Sequence, residues 1–417
     1  MIKFIRNKLS NGLRVLIHRD DTTPMAVVNL LYDVGSRDEH PESTGFAHLF
    51  EHLMFGGSAG VPFFDREVQK AGGENNAFTT NDITNYYIHL PAVNIETGIW
   101  LESDRMKGPL FTRKGLAVQK NVVTEEFKQR YLNQPYGDIW LLIRELAYKV
   151  HPYRWPPIGR EVSHIAKIDL NQVKQFFNSY YSPSNAILVI AGNVDEDDCI
   201  RLTSSWFGEI EHREPAIRNI TAEPGQTEAR QMKVFRDVPF HEIIIACRMC
   251  SRDSREYHAS DLISDLLSGG KSSILYRNLV MEKKLFSSIN AFITGDRDPG
   301  LFVVRGRVTG GAAIEYAHEQ LLCELNDFAS SPPDEEEVEK VKNKLEATRQ
   351  YAHTDILHKA ADLAYYELLV DAGELNNEIS RYRKTTPSDI LSTAKSIFDP
   401  KNSNTLLYCS KKQPSKP

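Results

Sequence analysis

The sequence is poor in several features that mark other classes of protein. Its 417 residues contain five cysteines, an odd number, which fits a reducing compartment better than a disulfide framework. No apolar run approaches the roughly 20 residues of a membrane-spanning helix. Lys and Arg number 50 against 56 Asp and Glu, so the sequence also lacks the basic excess of a nucleic-acid-binding protein. We therefore expect neither a nucleic acid nor a membrane as a partner.

The first residues lack the apolar segment and the small-residue cleavage site of a secretory signal. The predicted location is therefore cytoplasmic, or periplasmic if a signal was removed. With 41% apolar and 25% charged residues, the composition is that of an ordinary enzyme. At roughly 150 residues per domain, the length predicts two to three domains.

Three short segments recur in the same order, each about 214 residues after its counterpart. They are Ser-Arg-Asp at 36–38 and 251–253, the Gly-Gly that ends an apolar stretch at 56–57 and 269–270, and Asn-Ala-Phe at 76–78 and 290–292. Each match alone is a chance event, but three in order indicate a duplicated domain.

Residues 209–229 separate the two copies and have the composition of a linker. They are highly charged and contain Pro215, Pro224 and Gly225; the alternative is one long surface loop. We predict a zinc-binding catalytic domain at 1–208, a linker at 209–229, and a homologous domain without metal at 230–417.

Strand and helix patterns are mixed within the first copy. Runs rich in Val, Leu and Ile predict strands, and longer periodic stretches predict helices. The predicted strands are 13–18, 25–34, 84–90 and 184–192, and the predicted helices are 46–55 and 112–132. This mixture predicts an α+β fold, with two similar domains of about 200 residues, each a mixed and mostly antiparallel sheet packed with helices.

The helix predicted at 46–55 carries the sequence His48-Leu-Phe-Glu51-His52. At about 100° per residue, the two imidazoles lie about 40° apart and can reach one cation, while Glu51 lies about 60° to the other side of His48. Glu51 can then face a water on that cation without being a ligand. This is the inverted motif of zinc peptidases, and two histidines with an open position suit zinc. The alternatives are two hydrogen-bonded surface histidines, or a purely structural zinc site in which Glu51 has no task.

A third ligand is expected from the helix at 112–132, which contains Glu125 and Glu126. Its apolar residues centre on one face, and Glu126 lies at the edge of that face while Glu125 points to solvent. Glu126 is therefore the better ligand candidate, with a salt bridge on the helix face as the alternative. Gln119, seven residues earlier, shares the face of Glu126 and is a candidate hydrogen-bond partner behind the ligands.

The motif and its surroundings resemble the pitrilysin, insulin-degrading enzyme and mitochondrial processing peptidase family. The resemblance covers essentially the whole chain, more weakly in the second half. It is carried by Gly-Ser-Arg-Asp-Glu at 35–39, Gly-Phe-Ala-His-Leu-Phe-Glu-His-Leu-Met-Phe-Gly at 45–56, Gly-Gly-Glu-Asn-Asn-Ala-Phe-Thr-Thr at 72–80, Thr-Asn-Tyr-Tyr at 84–87, Val-Val-Thr-Glu-Glu at 122–126, Tyr-Ser-Pro-Ser-Asn-Ala at 181–186 and Gly-Asn-Val-Asp at 192–195.

The resemblance implies a zinc site with His48, His52 and Glu126 as ligands and Glu51 as general base. It also implies a two-domain chain that pairs with a second, similar chain to enclose a chamber. Substrate is expected to add as a strand beside Asn76, Ala77 and Phe78; the alternative is that these three residues form an ordinary edge strand. The family often has Glu where this chain has Gln119, which puts only that supporting role in doubt.

The second half departs from the family pattern. Asp261, Ser264 and Asp265 stand opposite the motif residues of the first half, so no second zinc site is expected. Some family members carry an Arg and a Tyr in this half that help to hold the substrate and its oxyanion. Val280 and Ser287 stand in those places here. The chain thus resembles the zinc-bearing subunit of two-subunit bacterial members, whose partner supplies the Arg/Tyr pair.

The leading hypothesis is a zinc-dependent endopeptidase subunit that acts on peptides or unfolded segments. A heterodimer with a homologous subunit is expected, although the isolated chain could form a homodimer. The alternative is a non-catalytic assembly or binding subunit of a processing-peptidase-like complex. The intact motif argues against that alternative, while Val280 and Ser287 leave it open for the isolated chain.

Overall fold

The computed structural model describes residues 1–411. In chain order, its strands are β1 (Ile5–Lys8), β2 (Arg14–Arg19), β3 (Met25–Tyr32), β4 (Glu74–Thr79), β5 (Thr84–Pro91), β6 (Ala186–Gly192), β7 (Arg230–Arg236), β8 (Glu242–Arg248), β9 (Phe286–Ile293), β10 (Leu301–Val308) and β11 (Ser403–Ser410). Its α-helices are α1 (Phe46–Leu53), α2 (Phe64–Lys70), α3 (Ile95–Lys107), α4 (Arg113–Phe127), α5 (Ile139–Ala147), α6 (Val162–Lys167), α7 (Leu170–Tyr180), α8 (Glu196–Phe207), α9 (Tyr257–Ser268), α10 (Ile314–Phe328), α11 (Glu335–Ala352), α12 (Ile356–Leu369), α13 (Glu378–Lys384) and α14 (Pro387–Ile397). No helix within these residues is both long enough and apolar enough to cross a membrane.

The strands form two sheets with matching topology. The first has the order β1-β2-β6-β3-β5-β4, and the second has the order β7-β11-β8-β10-β9. In the first sheet β2 and β6 are parallel, and in the second β7 and β11 are parallel; the other neighbours are antiparallel. The predicted fold class is therefore confirmed, and the shared topology agrees with the repeat in the sequence.

The chain divides into two compact units that are not its contiguous halves. Of the described residues, the first unit comprises 1–129, 155–220 and 349–377, and the second comprises 130–154, 221–348 and 378–411. The segment predicted as a linker spans the change from one unit to the other at residue 220, and it lies between the end of α8 and the start of β7. The units thus differ from the predicted domain boundaries through two exchanged segments.

Hydrophobic packing explains why the exchanged segments belong where they do. In the first unit, α12 packs one face of the sheet: Ile356, Ala360 and Leu363 join alternate sheet residues such as Val27 and Leu31 in one buried cluster. In the second unit, α5 does the same with Ile139, Ile143 and Leu146, which are buried with Ile244 and Leu406 among others. Each sheet thus gains a helical cover from a distant part of the chain.

Candidate metal centre

The helix that carries the His-x-x-Glu-His motif is α1. It begins after Gly45, whose φ of +93° favours glycine over residues with a Cβ atom. A Cβ at this position would also lie 2.7 Å from the carbonyl oxygen of Ile158. Gly45 therefore determines where α1 starts, and with it the direction in which the motif side chains leave the helix.

Buried polar side chains bind the two ends of α1. At the N-terminus, the carboxylate of Glu39 accepts hydrogen bonds from the backbone N–H groups of Gly45 (2.9 Å) and Ala47 (2.8 Å). At the C-terminus, Arg105 Nη1 donates to the carbonyl oxygen of Met54 (3.1 Å). The positive charge of Arg105 complements the negative C-terminal end of the helix dipole. Glu39 instead provides hydrogen-bond acceptors for two N–H groups at the helix start, where the helix itself offers none.

The surroundings of these two side chains keep them in place. Arg105 forms a fully buried ion pair with Glu102 (2.9 Å), and its guanidinium lies 4.0–4.7 Å from the ring centroids of Phe55, Phe64 and Tyr86. Burial raises the pKa of Glu39 to about 8, although the N–H groups of Ala47 and Gly45 act in the opposite direction. The helix is thus fixed from both ends by buried side chains.

The structure brings His48, His52 and Glu126 together. Glu126 Oε2 lies 3.7 Å from His48 Nε2 and 3.4 Å from His52 Nε2. One ligand atom from each of the three residues lies within 4.8 Å of the other two. Within residues 1–411, this is the group of three or more histidine, cysteine and carboxylate side chains that is close enough to share one metal ion.

The donor set and its spacing fit zinc. Zinc takes His nitrogen and carboxylate oxygen at about 2.0–2.2 Å, so two ligand atoms on a tetrahedral ion lie about 3.4 Å apart. The two measured separations between imidazole and carboxylate atoms, 3.4 and 3.7 Å, are close to that value. His48 is buried and the other two side chains are about a quarter exposed, which leaves one side of the group accessible.

The two adjacent glutamates of α4 have different surroundings. Leu116, Val123 and Phe127 form the buried face of the helix, and Glu126 lies beside this face with 22% of its side chain exposed. Glu125 is 71% exposed and forms an ion pair with Lys128 (2.7 Å). Glu126 therefore faces the two histidines, and Glu125 faces solvent.

Glu51 lies outside the group of three ligand candidates and contacts the sheet. Its Oε2 atom accepts a hydrogen bond of 2.6 Å from Thr79 Oγ1, at the end of β4. Thr79 follows directly after Phe78, so the carboxylate of the motif glutamate is bonded to the strand that the resemblance assigns to substrate.

The three predicted substrate-binding residues lie on β4, which ends the first sheet within the described part of the chain. Asn76 and Phe78 are exposed and Ala77 is half-buried, so the strand has one accessible face. The backbone N–H of Ala77 donates to the side-chain oxygen of Asn76 (2.8 Å). Gln119 is half-buried on α4, about two turns before Glu126, and its supporting hydrogen bond remains a prediction.

The second unit contains different chemistry on the helix that corresponds to α1. On α9, Asp261 accepts a hydrogen bond from Tyr382 Oη (2.6 Å), and Asp265 forms an ion pair with Lys344 (3.0 Å). Ser264 donates to the backbone oxygen of Asp261. The carboxylates at these positions are therefore bonded to donors from the same chain.

Val280 and Ser287 occupy the positions where the family pattern has Arg and Tyr. Val280 is partly buried against the core of the second unit. Ser287 is exposed on β9, and its hydroxyl donates to the backbone oxygen of Arg307 (3.3 Å). Neither side chain offers the charged or phenolic donor that the family pattern has there.

Sequence reasoning missed Glu39, Arg105 and Thr79. Glu39 and Thr79 stand inside runs that carry the family resemblance, Gly-Ser-Arg-Asp-Glu and Asn-Ala-Phe-Thr. The sequence therefore marked these two positions but did not indicate which groups they contact. Arg105 had no signal beyond its charge within a helical pattern, because its partners at Met54 and Glu102 are set by the fold.

Comparisons with known proteins agree with this architecture. Residues 14–136 match insulinase (peptidase family M16), and residues 167–345 match the peptidase M16 inactive domain. The zinc protease PqqE of Helicobacter pylori is 28% identical over 407 residues, which cover 95% of this chain and 91% of that protein.

Solved structures give the same result. The crystal structure of a protease from Helicobacter pylori has a TM-score of 0.91 at 27% identity, covering 98% of this chain and 100% of that one. A peptidase M16 inactive domain from Pseudomonas fluorescens shares the fold, with a TM-score of 0.88 at 18% identity and full coverage of both chains (100%). The chain belongs to the insulinase family of peptidases, peptidase family M16.

Proposed function

We propose that this chain is a zinc-dependent endopeptidase subunit that hydrolyses peptides or unfolded segments. The observation that carries the proposal is the convergence of His48, His52 and Glu126, with Glu51 on the same helix as the two histidines but outside their group. Three ligands leave one position of a tetrahedral ion for water or substrate, as catalytic zinc requires. A purely structural site has no use for a second acidic side chain, Glu51, on the motif helix.

Each residue then has a definite task. His48, His52 and Glu126 hold the zinc, which when bound lowers the pKa of water and polarises a carbonyl group. Glu51 takes a proton from the attacking water as the hydroxyl adds to the scissile carbonyl carbon. Glu51 then delivers that proton to the amide nitrogen as the C–N bond breaks, so that an acid and an amine leave.

The proposed peptide-binding element is the open edge of β4. A substrate in extended conformation pairs its backbone with the strand at Asn76, Ala77 and Phe78. Backbone pairing carries little sequence information, which supports action on many different unfolded segments. The exposed faces of Asn76 and Phe78 leave room for the side chains of such a peptide.

We also propose that full activity requires a homologous partner subunit. The oxyanion that forms during hydrolysis needs hydrogen-bond donors, and removing one such donor typically costs roughly 10²–10³ in rate. The partly buried Val280 and the backbone-bonded Ser287 supply neither an Arg nor a Tyr donor. A homologous chain with Arg and Tyr at these two positions would complete the site, in a heterodimer.

The variant Glu51→Gln tests the proposed function. Glutamine keeps the shape but does not accept the proton, so bound zinc should remain while turnover of a quenched peptide falls by at least roughly 10²-fold. Both chains are assayed with and without a homologous partner, and the exposed Glu125→Gln serves as the matched control. If Glu51→Gln keeps wild-type turnover, Glu51 is not the base. If the partnered wild type shows no turnover, the chain is the non-catalytic subunit instead.

A further inference from the structure

We propose that Thr79 is a positioning residue that fixes the carboxylate of the catalytic base. Thr79 Oγ1 donates to Glu51 Oε2 over 2.6 Å, from the end of β4 to the middle of α1. The inference rests on the proposed function of Glu51 as base. It assigns to Thr79 the task of holding one carboxylate oxygen so that the other is presented to water.

The hydroxyl groups of neighbouring threonines show how specific this contact is. Thr80 Oγ1 accepts from the backbone N–H groups of Asp82 and Ile83, so it serves its own turn. Thr84, directly across from Thr79 in the sheet, donates to the carbonyl oxygen of Val34. Of these three hydroxyls, the one that reaches the motif helix belongs to Thr79.

A flexible carboxylate is a poor base, because the distance between its oxygen and the attacking water varies. A glutamate side chain has three rotatable torsions, and a hydrogen bond to one oxygen removes most of their freedom. Correct placement of reacting groups accounts for a large part of enzymatic rate, and small displacements are costly. The hydrogen bond from Thr79 thus orders the Glu51 side chain before substrate binds.

The position of Thr79 also links the base to the proposed substrate strand. Thr79 follows Phe78, and both belong to the antiparallel pairing of β4 with β5. A peptide that pairs with β4 is therefore held by the same strand that holds Glu51. The distance between scissile bond and base is then set within one rigid element rather than across a loop.

The test compares Thr79→Val with Thr79→Ser, each assayed together with the partner subunit. Valine has the shape of threonine but no hydroxyl, so we expect unchanged zinc content, KM within about twofold of wild type, and kcat lower by roughly 10–100-fold. Serine restores the donor and should bring kcat back to within about threefold. Thr84→Val is the control: it removes a buried hydroxyl, lowers thermal stability, and leaves kcat unchanged.

Crystal structures of the two variants give a readout that does not depend on activity. The Glu51 carboxylate should leave its wild-type position in Thr79→Val and keep it in Thr79→Ser. If Thr79→Val keeps wild-type kcat, or loses zinc, or raises KM alone, Thr79 has no positioning role. An inactive wild-type complex would instead remove the proposed function itself, and the inference with it.

Discussion

The two units share a sheet topology and differ in what their corresponding helices carry. In the first unit, α1 presents His48 and His52 to Glu126 on α4. In the second, α9 presents Asp265 to Lys344 on α11. The helix α4 is the second α-helix after β5, and α11 is the second α-helix after β10, the strand that corresponds to β5. The helix pairs α1/α4 and α9/α11 therefore hold corresponding places in the chain order of the two units.

The comparison shows that the same fold can carry acidic side chains with two different kinds of positive partner. At His48, His52 and Glu126, two imidazoles and a carboxylate converge with ligand atoms close enough to hold an external cation. An aspartate bonded to a lysine ammonium has its positive partner within the chain. Function thus depends on a few side chains placed on the fold, and the fold alone does not decide it.

The largest expected effect is the loss of stability when a buried Arg–Glu pair is broken. Each unit contains such a pair. Arg105 pairs with Glu102 in the first unit (2.9 Å) and Arg252 with Glu378 in the second (2.7 Å). Removing one partner of a buried ion pair costs about 3–5 kcal/mol, so Arg105→Met and Arg252→Met should each lower the free energy of unfolding by that amount. Urea titration measures the loss.

Zinc affinity distinguishes these two variants. Arg105 also holds the C-terminal end of α1, so Arg105→Met should weaken zinc binding by roughly 10-fold or more, while Arg252→Met should leave it unchanged. A competition titration with a chromophoric chelator, at a temperature where both variants are folded, gives the two dissociation constants. Equal weakening in both variants would show that the metal centre does not depend on the first unit in particular.

The next effect concerns the missing donors of the second unit. Adding a homologous chain with Arg and Tyr at the positions of Val280 and Ser287 should raise peptide turnover by roughly 10²–10³-fold. The same partner with Ala and Phe at these positions should bind but give little turnover. Full activity of the pure chain, with a contaminating partner excluded by mass spectrometry, would contradict the two-subunit proposal.

The smallest effect concerns α12, which lies in the segment 349–377 that is distant in sequence from the rest of the first unit. Lys359 on α12 forms an ion pair with Asp20, just after β2. Burial acts to raise the pKa of Asp20, but hydrogen bonds from Lys359 and Thr22 outweigh it and lower the pKa from 3.8 to about 2. A carboxylate with a lowered folded-state pKa stabilises the fold above its unfolded value and loses that contribution as pH falls.

The variant Asp20→Asn should therefore cost about 1–2 kcal/mol at pH 7. The difference from wild type should shrink as the pH falls from about 4 to about 2, where the wild-type carboxylate takes up its proton. Urea unfolding of the metal-free chains across this range measures it. A difference that stays constant down to pH 2 would mean that the ion pair does not hold α12 in place.

Local patterns in the sequence were sufficient to predict that His48, His52 and Glu126 come together. Helical periodicity separates Glu126 from Glu125, because three apolar side chains at 116, 123 and 127 define the buried face. The motif spacing on one helix likewise brings His48 and His52 together. In both cases the relevant neighbours lie within two turns of one helix, where geometry is fixed by the backbone.

Features that depend on contacts between distant parts of the chain could not be predicted, because the backbone of one helix does not fix their geometry. An amphipathic helix such as α12 shows that it has an apolar face but not which sheet it covers, so the exchange of segments between the units has no signal in the sequence. The bond between Thr79 and Glu51 depends on how β4 and α1 pack. The contacts of Glu39 and Arg105 with the ends of α1 join segments that only the fold brings close.

The most direct test of the central claim is the zinc content of three purified variants, measured by elemental analysis after loading and desalting. Wild type should hold about one zinc per chain through three ligands. Glu126→Ala should hold almost none, while Glu125→Ala, its exposed neighbour, and Asp265→Ala, in the second unit, should both hold as much as wild type. Zinc retained in Glu126→Ala, or lost in Glu125→Ala or Asp265→Ala, would contradict a metal centre built from His48, His52 and Glu126.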